Sequence, residues 1–177
     1  MDTDLNKIDI SKLDIPLERD GFLRELLRQL SGTLQDVVGL EEAQGFITLV
    51  GQKMGELIND EYKAALNEDN LTREHVSVIL ADLKQRIQGD FKIITEDPHK
   101  IIFQGNTCPF AEKVIDRPSL CMMTSNVFGT IASQNLGYAK VSLEETIARG
   151  ARGCRVVVYL SENDESVMAE GIEYYKD

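Results

Sequence analysis

The chain has 177 residues, of which 42% are hydrophobic, and a formal net charge of −11 at pH 7. This length suits one domain with its own core, and no stretch reaches the ~18 consecutive apolar residues that a membrane span requires. An acidic surface repels phosphate groups, so neither nucleic acid nor a membrane is expected as a partner. The N-terminus lacks the apolar run of a signal peptide, which leads us to expect a cytoplasmic protein.

Two helices are predicted to follow a flexible arm formed by residues 1–16. Apolar residues at helical spacing come after the arm, and this first helix is expected to end at Gly32. The second helix is predicted from about residue 40 to residue 66. Its Gly51 and Gly55 lie four residues apart on one face, where they would let another backbone approach closely. That backbone belongs either to the same subunit or to a second copy of the chain.

These two helices offer more apolar surface than one small sheet can cover. The first helix carries several large apolar residues at helical spacing: Phe22, Leu23, Leu26, Leu27 and Leu30. We therefore expect a homodimer built from the helical half, with Gly51 and Gly55 at the contact between the subunits.

A third helix is expected to begin at Asn70 or Thr72, either of which can cap it, and to end at Gly89. After this glycine the apolar period changes from helical to alternating. Residues 90–104 therefore read as a β-hairpin.

A fourth helix is predicted to open at Pro118, because proline is favoured in a first helical turn. Strands are predicted at 138–143 and 155–160, and the acidic tail 161–177 is expected to be frayed, with Tyr174 and Tyr175 as candidate anchors. One domain would then span residues 17–160. Helices and strands do not alternate as βαβ units, so we predict an α+β fold with the N-terminal helices packed on a small antiparallel sheet.

Three cysteines stand at predicted element boundaries, namely Cys108, Cys121 and Cys154. Such boundaries can converge in a small domain, and three thiolates suit zinc or an iron–sulfur cluster. Both groups normally take four ligands, and His99 is the nearest candidate for the fourth. Alternatively, each cysteine is a small buried apolar residue, or one of them is a redox-active thiol.

A hydrophobic ligand pocket is predicted between the fourth helix and the last predicted strand. Met122, Met123 and Phe128 would border it, since methionine suits adaptable apolar cavities. Thr124 would add a hydroxyl group to its wall.

Catalytic motifs are missing from the sequence. It has no phosphate-binding glycine loop, no GxSxG and no HExxH pattern. The chain has two histidines, and neither stands near a plausible nucleophile. The sequence therefore favours a non-enzymatic protein.

The C-terminal half resembles the methanogen output domain family, which is similar to the four-vinyl-reductase-like superfamily. Five segments carry this resemblance: Asn106–Phe110, Pro118–Thr124, Val127–Gly129, Gly137–Val141 and Gly153–Val157. The resemblance implies a four-vinyl-reductase-like fold. Domains of this superfamily are typically dimeric ligand-sensing or scaffolding units, and the output domains occur in prokaryotic signal-transduction proteins.

The sequence and the resemblance together suggest a non-enzymatic sensory or output module that dimerises. Its cysteines would sense a small ligand, a metal or a redox state, and a partner such as a histidine kinase or another regulator would receive the signal. Two alternatives remain. One is an enzyme or carrier for a tetrapyrrole or another hydrophobic small molecule, and the other is a structural scaffold with inert cysteines.

Overall fold

The computed structural model describes residues 13–176, so most of the predicted flexible arm lies outside the described residues. The helices are α1 Arg19–Val38, α2 Leu40–Leu66, α3 Arg73–Arg86, α4 Pro118–Leu136 and α5 Asp164–Met168. The strands are β1 Lys92–Glu96, β2 Lys100–Gly105, β3 Tyr138–Glu145, β4 Cys154–Tyr159 and β5 Ile172–Tyr175. Short 3-10 turns follow β2 and β3, at Ala111–Val114 and Ile147–Arg149.

The five strands form one sheet in the order β1-β2-β4-β3-β5, and every neighbouring pair is antiparallel. Helices α3 and α4 cover one face of this sheet, α2 packs chiefly on α4, and α1 packs on α2. The predicted α+β fold is confirmed. Its helices lie in successive layers on the sheet.

Helix α4 is the centre of the molecule, because it lies between the sheet and α2. Phe128 and Ile131 on its inner face are fully buried, and the Phe128 ring meets Phe103 edge to face at a centroid distance of 5.3 Å. Gly129 leaves room for the Tyr174 ring of β5, since a Cβ atom there would lie 2.1 Å from that ring. Small residues on α4 thus permit close packing on more than one side.

The first helix does not end at Gly32, which corrects the sequence-based prediction. α1 continues for six more residues and ends before Gly39, whose φ of 89° is a conformation that favours glycine. Gly32 is buried, and its missing side chain makes room for the Arg117 guanidinium. Gly32 therefore allows close packing of α1 and does not mark the end of the helix.

The C-terminal tail is not frayed within the described residues, which also corrects the prediction. Asn163 caps α5 by accepting a hydrogen bond from the Ser166 N–H, and β5 then pairs with the edge of β3. Tyr174 is buried, and its hydroxyl contacts Ser125 Oγ at 2.9 Å and donates to Asn126 Oδ1 at 3.1 Å. Burial of this tyrosine stabilises a segment whose acidic composition suggested disorder.

The glycines of α2 serve packing within the subunit, so their predicted place between two subunits is wrong. A Cβ atom on Gly51 would lie 2.6 Å from Asn126 Cβ, and one on Gly55 would lie 2.7 Å from Thr130 Cβ. Both neighbours belong to α4. The two glycines therefore set the distance between α2 and α4.

None of the helices in the described part of the chain is both long and apolar enough to cross a membrane. The cytoplasmic location stays a prediction.

The packing of α2 on α4 can be tested with two alanine substitutions in the same helix. We expect Gly51→Ala to lower the free energy of unfolding by about 1–3 kcal/mol, because its methyl group overlaps Asn126. Gly45 is exposed, and a methyl group added there would meet no other atom within 4 Å. Gly45→Ala should therefore raise the free energy of unfolding by about 0.5–1 kcal/mol through helix propensity alone. Chemical denaturation measures both values, and equal effects of the two variants would contradict the close contact.

Candidate functional site

A small cavity with a volume of about 30 Å³ lies where the first turns of α4 meet the start of β4 and the segment that follows β2. All three cysteines line it. The complete wall consists of Lys84, Phe91, Cys108, Pro109, Phe110, Leu120, Cys121, Thr124, Leu143, Thr146 and Cys154. We call this space the cysteine cavity.

Strand pairing and local turns bring the cysteines together. Gly105 at the end of β2 pairs with Cys154 at the start of β4, and Cys108 follows three residues later. The Asp90 carboxylate accepts hydrogen bonds from the backbone N–H groups of Asn106 and Thr107, at 2.6 and 2.8 Å, and so holds the turn that carries Cys108. Residues distant in sequence thus share one wall.

The three thiols are protonated at neutral pH. Burial raises the pKa of each of them, and that of Cys121 reaches about 12. The Cys154 sulfur also accepts a hydrogen bond from the Ile147 N–H at 3.4 Å, which acts in the opposite direction. Since the thiolate is the nucleophile and the metal ligand, these sulfurs are poorly activated for either role.

The geometry gives no support to a metal site. Within residues 13–176, no group of three or more His, Cys, Asp or Glu side chains is placed to hold a metal ion. His99, the predicted fourth ligand, lies on the β1–β2 turn with its Nδ1 3.0 Å from Ser161 Oγ, and it is not part of the cavity wall. Zinc or an iron–sulfur cluster at the cysteines stays a prediction.

Lys84 of α3 is a candidate site residue that the sequence analysis did not single out. It is only 6% exposed, and its Nζ donates a hydrogen bond to Thr124 Oγ1 at 2.7 Å. The ammonium group also lies over the rings of Phe91 and Phe128, at 5.3 and 5.5 Å from their centroids. No carboxylate of the described residues forms an ion pair with it, so its charge is held by one hydroxyl group and two aromatic faces.

Burial lowers the pKa of Lys84 to about 8, and the nearby Cys108, Cys154 and Cys121 act in the opposite direction only in their thiolate form. The charged form therefore still predominates at pH 7. An ammonium group has three N–H donors, and only one of them has a hydrogen-bond partner among the described residues.

Thr146 supplies a second polar group that lacks a partner. This residue is 4% exposed and lines the cavity beside Cys121, yet its hydroxyl makes no hydrogen bond of acceptable geometry with the described residues. Buried polar groups are normally satisfied, and an exception needs an explanation.

The predicted ligand-binding residues divide between different places. Thr124 lines the cysteine cavity, whereas Met122 faces an open groove on another side of α4. Met123 packs against the main core, and Phe128 is fully buried in it beneath Lys84. The helical period explains this division. Thr124 lies three residues after Cys121 and so shares its face of α4, whereas Met122 is the next residue and points about 100° away.

The sequence did contain a signal for Lys84. The residue stands four positions after Leu80 and eight after Val76, both of which are fully buried. A lysine on the apolar face of a helix breaks the expected pattern, and such a break marks a buried charge.

Removal of the buried charge should stabilise the protein. We expect Lys84→Met to raise the free energy of unfolding by about 1–3 kcal/mol, because a similar volume is kept and the desolvation cost disappears. The gain should be full below pH 8 and should shrink as the pH rises toward 10.5, because the folded-state pKa lies below the unfolded one. Lys53→Met, at an exposed position of α2, should change the value by no more than about 0.5 kcal/mol. Urea titrations at several pH values test this, and a loss of stability in Lys84→Met would contradict it.

Solved structures of similar fold share little sequence with this chain. The phenol-responsive sensory domain of the transcription activator PoxR, with phenol, has a TM-score of 0.62 at 14% identity, over 86% of this chain and 80% of that one. A trafficking protein particle complex subunit 3 from Naegleria fowleri, covalently bound to palmitic acid, has a TM-score of 0.54 at 13% identity, over 80% and 96%. An Fe(II) unliganded H-NOX protein variant from K. algicida has a TM-score of 0.53 at 13% identity, over 86% and 79%. At these identities the likeness concerns the fold alone.

No curated protein matches the sequence significantly. The methanogen output domain 1 family, by contrast, matches residues 26–159, which include α2 to β4 and the whole wall of the cysteine cavity. This match spans most of the chain and confirms the resemblance seen in the cysteine segments. The chain therefore belongs to the methanogen output domain 1 family.

Proposed function

We propose that this domain is a non-enzymatic sensory and output module of signal transduction, and that the cysteine cavity is its sensory site. Family membership supports an output role. One protein of similar fold, the PoxR domain, is described as a phenol-responsive sensory domain. The protein's own geometry supplies the argument for the site.

The observation that carries the proposal is a small space whose buried polar wall groups are only partly satisfied by hydrogen bonds. Among the described residues, Lys84 donates one of its three N–H groups, to Thr124, and the Thr146 hydroxyl has only a weak interaction with the Cys121 thiol. Burial of such groups costs free energy unless something satisfies them. A molecule bound in the cavity would do so, which explains why a costly arrangement is kept.

A larger groove of about 360 Å³ lies outside the cysteine cavity and provides a route of entry. Cys108 and Pro109 border both spaces, so the segment that contains them forms the wall between the two. Ala111 and Asp116 in the continuation of this segment have positive φ values of 48° and 59°, which are uncommon outside glycine. Movement of this wall would join the spaces and admit a ligand larger than the closed volume.

The same wall segment contacts α1, which gives a ligand a mechanical route to the outer helices. Arg28 of α1 donates hydrogen bonds to the carbonyl oxygens of Lys113 and Ile115, at 2.7 and 2.8 Å. Lys113 Nζ also forms an ion pair with Glu25 at 2.8 Å. A shift of the wall would therefore pull on α1, and a partner such as a histidine kinase or another regulator would receive the change there.

We further propose that α1 and α2 form the interface of a homodimer. Within residues 22–30 of α1 and 46–57 of α2, ten large apolar side chains are 39–59% exposed: Phe22, Leu23, Leu26, Leu27, Leu30, Phe46, Leu49, Val50, Met54 and Leu57. Together they expose on the order of 800 Å², which is about what each partner of a standard interface buries. A second copy would cover this surface, and the two glycines of α2 take no part in the contact.

The proposed interface can be tested by comparing the molecular masses of two variants in solution. We expect a dimeric mass for the unmodified protein in light scattering at micromolar concentration, and a monomeric mass for Leu49→Glu, because an interfacial carboxylate would be buried without a partner. Val78→Glu is the control, since Val78 is 62% exposed on α3 and Leu49 is 59% exposed on α2. It should remain dimeric. A monomeric mass for the unmodified protein would refute the homodimer, and a dimeric Leu49→Glu would place the interface elsewhere.

The sensory cavity can be tested by changing its volume at one position. Ligand-observed NMR with phenol, acetamide, acetate and ethylamine would report which small molecules bind. We expect at least one of them to bind the unmodified protein and Cys121→Ala, which enlarges the cavity, and not to bind Cys121→Met, which fills it. Binding that is unchanged in Cys121→Met would place the ligand outside the cysteine cavity. A folded protein that binds none of the four would speak against a small-molecule sensor.

A further inference from the structure

The wall of the cysteine cavity has a single formal charge. Of its eleven residues, Lys84 is the only lysine or arginine, and none is an aspartate or glutamate. Cysteine thiols are ordinarily neutral at pH 7, because their reference pKa is about 8.5. The closed space is therefore positive, although the chain as a whole carries a net charge of −11.

Hydrogen-bond donors converge on the same space. Lys84 has two N–H groups beyond the one that it donates to Thr124. The Thr124 hydroxyl already accepts that hydrogen bond, so its own O–H is available to a ligand. The buried Thr146 hydroxyl also lines the cavity, where it makes no well-formed hydrogen bond within the described residues and interacts weakly with the Cys121 thiol.

We propose that the molecule recognised by this cavity is a small anion, with a short carboxylate as its type, bound by Lys84, Thr124 and Thr146. This inference rests on the proposed sensory function of the cavity. An anion supplies both the missing counter-charge for Lys84 and acceptors for all the converging donors, whereas a neutral ligand supplies at most the acceptors. The aromatic rings of Phe91 and Phe128 stabilise the ammonium without neutralising it, so they leave the place of a counter-ion vacant.

The size of the cavity limits the ligand. A volume of about 30 Å³ holds roughly two water molecules, given that one needs about 10–15 Å³ on this measure. Formate and acetate, the smallest carboxylates, therefore match this space best. A longer apolar tail would need the wall that carries Cys108 to move outward.

Acetate and acetamide form a matched pair for the test, because they have nearly the same shape and differ in charge. Binding to the full chain is followed by the backbone amide NMR shifts of Thr124 and Thr146 at constant ionic strength. We expect acetate to bind the unmodified protein at least tenfold more tightly than acetamide. Lys84→Met should remove this preference, Thr146→Val should weaken acetate binding severalfold, and the control Lys53→Met should behave as the unmodified protein.

Three results would overturn the assignment, and the first two leave the proposed function intact. If acetamide or phenol binds in the cavity as tightly as acetate, the ligand is neutral and the sensory function stands. The same holds if acetate binds Lys84→Met unchanged. If no probe of any charge shifts the amides of Thr124 and Thr146, both the anion and the sensory site are refuted. Denaturation of each variant shows that a loss of binding does not come from a loss of folding.

Discussion

The close approach of α2 to α4 is the contact on which the rest of the structure depends. Gly51 and Gly55 allow it, because any side chain there would overlap Asn126 and Thr130. The approach buries polar groups, and these are satisfied across the interface: Asn59 donates to Gln134 at 2.9 Å and accepts from Asn135 at 2.7 Å. A fully paired polar network in a tight interface favours one register of the two helices over its neighbours.

Helix α4 therefore has little freedom to move, which places the adaptable part of the site on the opposite wall. Thr124 and Cys121 are fixed on α4, and Cys154 is fixed by strand pairing with Gly105. Cys108 lies on a segment that has no strand partner and contains two residues at positive φ. In the proposed sensory function this is the wall that would move, so that a ligand would change one side of its site without disturbing the core.

If Lys84 binds a ligand as proposed, its buried ammonium group is a point where stability and recognition oppose each other. A hydrophobic residue at this position would pack the core at lower cost, whereas lysine keeps an unneutralised charge beside a small space. The aromatic rings and one hydroxyl reduce that cost without removing it. In the proposed anion site the cysteines would line the space compactly as neutral thiols and leave the lysine charge to the ligand.

The spacing of apolar residues and the positions of glycine and proline were enough to predict the order of most helices and strands and the α+β class. They also predicted that the three element boundaries that carry the cysteines converge. They showed which residues share a helical face, because spacing determines that locally. They could not show what covers each face, since this depends on contacts between distant segments. Hence the sequence did not show that Gly51 packs against α4 and not against a second subunit. It also did not show that Met122 points away from the cysteine cavity or that Lys84 lines that cavity. Likewise, only the pairing of β5 with β3 orders the acidic tail, because burial of Tyr174 outweighs a composition that favours disorder.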